Sequence, residues 1–193
     1  MKEPILYRIV RPIISFLFKF LFRPTYIGLE YLSDSEPLVL GGNHTNNFDC
    51  LLLIASTNRV IHFLAKDSLI KGIKAPIFKG MGIIPVNRQI HDKQALNSAI
   101  ESLKEGKVIG IFPESTINRT PDTIMPFKIG CVKMAHDTNA KIVPFTITGK
   151  YKLFKKSIRL EFYEPYFVNS DDLTKENEKL MNIIKSNLEE KRK

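Results

Sequence analysis

Large apolar residues crowd the chain between Ile5 and Phe22, with Phe16, Phe18, Phe20 and Phe22 among them. Polar residues fall at Arg8, Arg11, Ser15, Lys19 and Arg23. Those steps of three and four predict a helix with one narrow polar stripe and a wide apolar face opposite. Arg8, Arg11 and Lys19 interrupt the roughly 20-residue apolar run that a membrane-crossing helix needs. The pattern suits a helix lying in a membrane interface, its cations toward anionic headgroups. The plainer alternative is a helix whose apolar face packs on the domain. Pro12 marks a kink or the true first turn. The apolar stretch runs into Phe22-Arg23-Pro24 without a small-residue cleavage site, which argues against a removed signal peptide.

Beyond residue 24 the pattern alternates between strand and helix. Pro37 to Leu40 reads as a short buried strand ending at Gly41-Gly42, and Leu51 to Ala55 as the helix after it. Val60 to Ala65 and Gly82 to Val86 are further strands. Lys93 to Leu103 is helical by period, with Ala95, Leu96, Ala99, Ile100 and Leu103 on one side and Gly106 as a C-cap glycine. Val108 to Phe112 is an apolar run suited to a central strand. Ile129 to His136 reads as a helix and Ile142 to Ile147 as a strand. Ile158 to Phe162 alternates as a half-exposed edge strand would. The last segment, 171–193, opens with acids near a Ser170 cap and carries an apolar stripe at Leu180, Ile184 and Leu188. The expected fold is a single α/β domain with a mixed, largely parallel sheet flanked by helices. Residues 1–24 form the amphipathic membrane-association segment and 25–193 the domain itself.

Composition changes this picture in two ways. A net charge of +9 over 193 residues calls for an anionic partner: nucleic acid, anionic lipid or a phosphorylated small molecule. No RNP-type sequence, zinc finger or obvious helix-turn-helix is visible, so nucleic acid is not the expected partner, but charge alone does not choose among the three. Cys50 and Cys131 are isolated, so neither a disulfide framework nor a structural zinc site is expected. Both read as small buried hydrophobes in a reducing compartment.

Two segments carry chemistry: Asn43-His44-Thr45-Asn46-Asn47-Phe48-Asp49 and Phe112-Pro113-Glu114-Ser115-Thr116-Ile117-Asn118-Arg119. Each follows an apolar strand, and ligands on parallel sheets bind beyond the carboxyl ends of strands. His44 and Asp49, five residues apart, would lie roughly 140° apart on an ideal helix. They meet only if His44 sits in the loop and Asp49 in the first helical turn. Gly41-Gly42 would allow the reversal, with Thr45 or Asn46 as cap. Asp49 would then fix the imidazole tautomer and leave the other nitrogen to take a proton. The bland reading is a histidine satisfying a loop and an acid stabilising a helix start.

With the second segment added, the chain resembles the glycerolipid acyltransferase family that includes 1-acylglycerol-3-phosphate acyltransferase. His44 and Asp49 match its histidine and aspartate separated by four residues. Gly82-Ile83-Ile84-Pro85-Val86-Asn87-Arg88 is similar to its second motif. The Phe112 to Arg119 segment resembles its Phe-Pro-Glu-Gly-Thr-Arg motif. Phe127-Lys128-Ile129-Gly130 resembles the Phe-Lys-x-Gly that follows, and Val143-Pro144-Phe145-Thr146-Ile147 the Val-Pro strand. Order and spacing agree over roughly residues 38 to 149.

The resemblance implies a fatty acyl transfer from an acyl-CoA or acyl-carrier-protein thioester to the hydroxyl of a lysophospholipid such as lysophosphatidate. No metal or other cofactor is implied. His44 would be the base and Asp49 its orienter. Arg88, Glu114, Ser115, Thr116, Arg119 and Lys128 would serve the acceptor. The cations suit charge-assisted hydrogen bonds to phosphate. Glu114 either bonds an acceptor hydroxyl or braces its loop. Ser115 and Thr116 lack the GxSxG elbow of a nucleophile. Two departures stand out: Ser115 replaces the family glycine and Ile117 the family arginine. Ile117 leaves open an acceptor without a free phosphomonoester, or a weakened lipid-binding protein. The expected location is the cytoplasmic face of a membrane, peripheral or monotopic, with an anionic membrane surface as partner.

Overall fold

The computed structural model describes residues 5–32, 35–70, 76, 80–87 and 92–191. The strands are β1 (Thr25–Ile27), β2 (Leu38–Gly42), β3 (Ile61–Lys66), β4 (Ile84–Val86), β5 (Val108–Ile111), β6 (Lys141–Gly149) and β7 (Ile158–Phe162). The helices are α1 (Ile5–Phe22), α2 (Asp49–Ser56), α3 (Lys93–Lys104), α4 (Gly130–Thr138) and α5 (Leu173–Glu190). The strands form one sheet in the order β1-β7-β6-β2-β5-β3-β4. All neighbours pair parallel except β6 and β7. The expected mixed, largely parallel α/β architecture is therefore present.

The central strands are apolar on both faces because helices cover both. Leu38 and Leu40 of β2 pack with Tyr7, Phe18 and Phe22 of α1 and Leu52 and Leu53 of α2. Val39, one position out of phase, packs with Ala99 of α3, Cys131 and Val132 of α4 and Leu180 and Ile184 of α5. Alternation along a strand thus feeds two separate cores. Cys131 is fully buried, whereas Cys50 is only half-buried.

Four sequence expectations are corrected. β7 is not an edge strand: β1 adds to its outer side, pairing Tyr26 with Leu160, so the sheet edge moves to a three-residue strand with no sequence signal. Its alternation instead reflects one buried face. Gly41 and Gly42 do not reverse the chain; they lie inside β2, where a Cβ on Gly42 would stand 2.3 Å from the Phe145 ring. The cap of α5 is Asp172, whose side chain accepts from the Lys175 amide, while Ser170 Oγ accepts from the Asp172 amide one turn earlier. Neither Thr45 nor Asn46 is the N-cap of α2, which is Phe48 with no side-chain cap bond.

The long apolar face of α1 divides in two. Tyr7, Phe18 and Phe22 face the core, and the Tyr7 hydroxyl donates to Arg59 O and accepts from the Ile61 amide. Ile5, Ile9, Ile13, Phe16, Leu17 and Phe20 face outward and are exposed. The polar stripe runs along the flank between them. Arg11 turns to the protein, donating to Thr57 O and Asn58 Oδ1 at the end of α2. Lys19 stands over the Tyr26 ring. Among the described residues no helix is long and apolar enough to cross a membrane.

Candidate active site

The sheet register brings the two chemical segments together. Gly41 of β2 pairs with Ile111 of the adjacent parallel strand β5. Three residues further along each strand lie His44 and Glu114. Glu114 Oε1 accepts from the His44 amide at 2.9 Å, and the Asn118 amide donates to His44 O at 2.9 Å. The His44 ring stacks on Phe112, centroids 4.1 Å apart. Asn43, buried just before it, exchanges two hydrogen bonds with the Ile147 backbone of β6. His44 is therefore held by the Glu114 carboxylate, the Asn118 amide and the Phe112 ring, all from the segment that follows β5.

Asp49 opens α2 and its side chain is 0% exposed. A buried carboxylate survives only if both oxygens are hydrogen-bonded. Oδ2 accepts from His44 Nδ1 at 2.9 Å, from the Thr45 amide at 2.6 Å and from the Asn46 amide at 2.8 Å. Oδ1 accepts from Tyr151 Oη at 2.6 Å and Thr45 Oγ1 at 3.2 Å. The positive end of the α2 dipole adds to this. An ionised carboxylate only accepts, so Nδ1 carries the histidine proton. That leaves Nε2 basic, and it has no hydrogen-bond partner among the described residues.

Tyr151 had no signal in the sequence. It lies in the loop after β6, and because β6 runs parallel to β2 this loop emerges at the same end of the sheet. Burial and the adjacent Asp49 carboxylate push the phenol pKa well up, so it stays a donor. Its ring packs edge-on against Phe18, Phe22 and Phe48.

A cavity of about 320 Å³ opens beside the histidine, lined by Asn43, Thr45, Asn118, Thr120, Thr148 and Lys191 among others. Lys191, just past the end of α5, bonds Glu161 and the Tyr163 hydroxyl. Glu114 also lines the cavity, but its second oxygen accepts from the Met125 amide at 2.8 Å. Both its oxygens thus tie backbone together. Burial pushes its carboxyl pKa up, against the opposing pull of the two amides and His44. Ser115, Thr116, Arg119 and Lys128 do not line the cavity. Arg119 and Lys128 are exposed and free of ion pairs among the described residues, while the Lys128 amide donates to Pro113 O. Arg88 lies outside the described residues. Among the described residues no group of three or more His, Cys, Asp or Glu side chains is placed to hold a metal ion.

The family model described as Acyltransferase matches residues 23–148, the span that carries His44, Asp49 and Glu114 but not Tyr151 or Lys191. The chain is a member of the glycerolipid acyltransferase family. It is 37% identical over 134 residues to the 1-acyl-sn-glycerol-3-phosphate acyltransferase of Borreliella burgdorferi, covering 68% of this chain and 53% of that one. It is 31% identical over 142 residues to the enzyme of the same name from Bacillus subtilis, covering 70% of each. The chain thus spans about half the length of the first relative and more of the second. The crystal structure of the 1-acyl-sn-glycerophosphate acyltransferase PlsC from Thermotoga maritima shares the fold, with a TM-score of 0.71 at 22% identity over 97% of this chain and 78% of that one.

Within this family the two departures have a local geometry. Ser115 adopts φ 61, the left-handed conformation that suits the family's glycine. Its hydroxyl donates a long 3.4 Å bond to Pro113 O. Ile117 is half-buried, and the cation two residues later, Arg119, points to solvent.

Proposed function

We propose that this chain transfers a fatty acyl group from a coenzyme A or carrier-protein thioester to the hydroxyl of lysophosphatidate or a related lysophospholipid. The observation that carries this is His44 fixed through Nδ1 by a fully buried Asp49, with Nε2 unpartnered among the described residues. A neutral imidazole so oriented takes the acceptor's hydroxyl proton as the oxygen attacks the thioester carbonyl. Asp49 holds the ring and stabilises the imidazolium that forms. The C–S bond then breaks, and the imidazolium gives the proton to the departing thiolate, which leaves as the thiol. General base catalysis of this kind is worth roughly 10² to 10⁴ in rate. The steps ask for no metal or other cofactor. The names of the relatives from B. burgdorferi and B. subtilis support the lysophosphatidate acceptor. The outward apolar stripe of α1 supports work at a membrane surface, where such acceptors reside.

A second acceptor reading rests on Ile117. Where the family carries arginine, position 117 offers no charge to a phosphomonoester, so a lysophospholipid with a substituted phosphate fits the same dyad. One assay addresses the reaction itself: purified protein, detergent, acyl-CoA or acyl-carrier protein, and a panel of lysophospholipids, with thiol release followed over time. Wild type should release thiol only with an acceptor present, and His44→Ala should lower the rate at least a hundredfold. Equal rates for the two proteins across the whole panel would remove His44 as the base.

A further inference from the structure

The loop between β6 and β7 reads Lys150-Tyr151-Lys152-Leu153-Phe154-Lys155-Lys156-Ser157. Its tip is apolar and its shoulders are cationic. Leu153 is 59% and Phe154 52% exposed. Lys150, Lys152, Lys155 and Lys156 are all exposed, and none makes an ion pair among the described residues.

The loop is firmly held. The Lys150 amide donates to Ser157 O at 2.8 Å, and Ser157 Oγ donates to Lys150 O at 2.8 Å. The Phe154 amide donates to Leu21 O at the end of α1 at 2.5 Å. Phe154 itself has φ 59, a conformation that costs a bulky residue energy and that the surroundings must impose. The result is a ring turned outward against Phe20, centroids 5.8 Å apart. Phe20 in turn stacks with Phe16 at 6.2 Å. Phe16, Phe20 and Phe154 are 69%, 54% and 52% exposed, so the outer stripe of α1 continues onto the loop as one apolar surface.

We propose that the loop at residues 150–157 is a second membrane contact, docking beside α1 on an anionic bilayer. The inference rests on the membrane reading above and adds a partner surface to it. An acidic carrier protein would satisfy the lysines but leave the stripe of an 18-residue helix in water. A bilayer covers both, taking the aromatic and aliphatic tips below the headgroups and the lysines at the phosphates. The same loop carries Tyr151, whose hydroxyl reaches Asp49 from its inner side. Docking therefore sets the dyad directly behind the membrane surface.

The chain contains no tryptophan, so a single indole at the tip reports on this site alone. Leu153→Trp should shift its emission to the blue on vesicles containing phosphatidylglycerol, and brominated acyl chains should quench it. In flotation, Leu153→Ser with Phe154→Ser should lower vesicle partitioning at least tenfold with α1 intact. Changing the four lysines to Gln should cost about fivefold per residue on anionic vesicles and little on phosphatidylcholine alone. Thermal melts of each variant establish that it folds. An indole that stays in water on anionic vesicles overturns the proposal. So does unchanged partitioning of the folded variants, or loss of binding to acyl carrier protein with vesicle binding intact. None of these readouts uses acyl transfer, so they succeed or fail separately from the reaction proposed above.

Discussion

Tyr151 Oη lies 2.6 Å from Asp49 Oδ1 and joins the loop after β6 to the first turn of α2, 102 residues earlier in the chain. It is the closest donor to that oxygen, since Thr45 Oγ1 stands at 3.2 Å. A hydrogen bond to a charged group is worth about 1.5–3 kcal/mol. Tyr151→Phe keeps the ring against Phe18, Phe22 and Phe48 and removes only this donor. We expect kcat to fall about tenfold with KM for both substrates unchanged. A purely structural tyrosine would lower the melting temperature and leave the kcat of the remaining folded enzyme alone.

Ile117→Arg restores the charge that the family carries. For lysophosphatidate the expected result is a KM lower by roughly tenfold to a hundredfold, the equivalent of one charged hydrogen bond. For a lysophospholipid with a substituted phosphate, steady-state kinetics should show little gain. An unchanged KM for both acceptors would mean that position 117 does not face the phosphate.

Glu114 predicts a pH effect on stability. Burial holds its carboxyl pKa above the ordinary 4.5, so the folded protein keeps that proton more tightly than the unfolded chain. The proton-linked contribution is therefore complete below the ordinary value and is lost as pH rises through the raised folded value. Glu114→Gln has no such proton. Denaturant unfolding at pH 4 and pH 7.5 should show wild type losing stability relative to Glu114→Gln on going to the higher pH. At both values the variant also lacks one backbone tie, because a glutamine can accept only one of the His44 and Met125 amides.

Ser115→Gly should raise stability by roughly 0.5–1 kcal/mol, because the left-handed conformation at φ 61 costs a side chain roughly 1–2 kcal/mol and glycine's greater loss of backbone freedom offsets part of that. The bond from the Ser115 hydroxyl to Pro113 O is long, at 3.4 Å. Thermal unfolding measures this directly, and thiol release should be unaffected.

Much of this was legible in the chain because it is local. The loop-to-helix step from His44 to Asp49 follows from their spacing, and the central strands follow from their apolar runs. What escaped depends on neighbours brought in by the fold. Gly42 looks like a turn residue until Phe145 of β6 is seen against its Cα. Ile158 to Phe162 has the pattern of an edge strand, and only the short β1, with too few residues for a periodicity, reveals otherwise. The helical period in α1 identified the polar stripe correctly but not that core and solvent would claim opposite parts of its apolar face. Nothing near Tyr151 announces Asp49, since that bond exists only because β6 and β2 run side by side.

The Tyr7 hydroxyl, wedged between Arg59 O and the Ile61 amide at the start of β3, ties the first helix to the sheet. This helix cannot be trimmed away to yield a smaller water-soluble fragment. Cutting before Arg23 would strip the cover from Leu52, Leu53 and Phe162, all now shielded from solvent, and replace one sticky surface with a larger one. Solubility is better sought by changing Ile9, Ile13 and Phe16 to polar residues, which leaves the inward side of the helix in place.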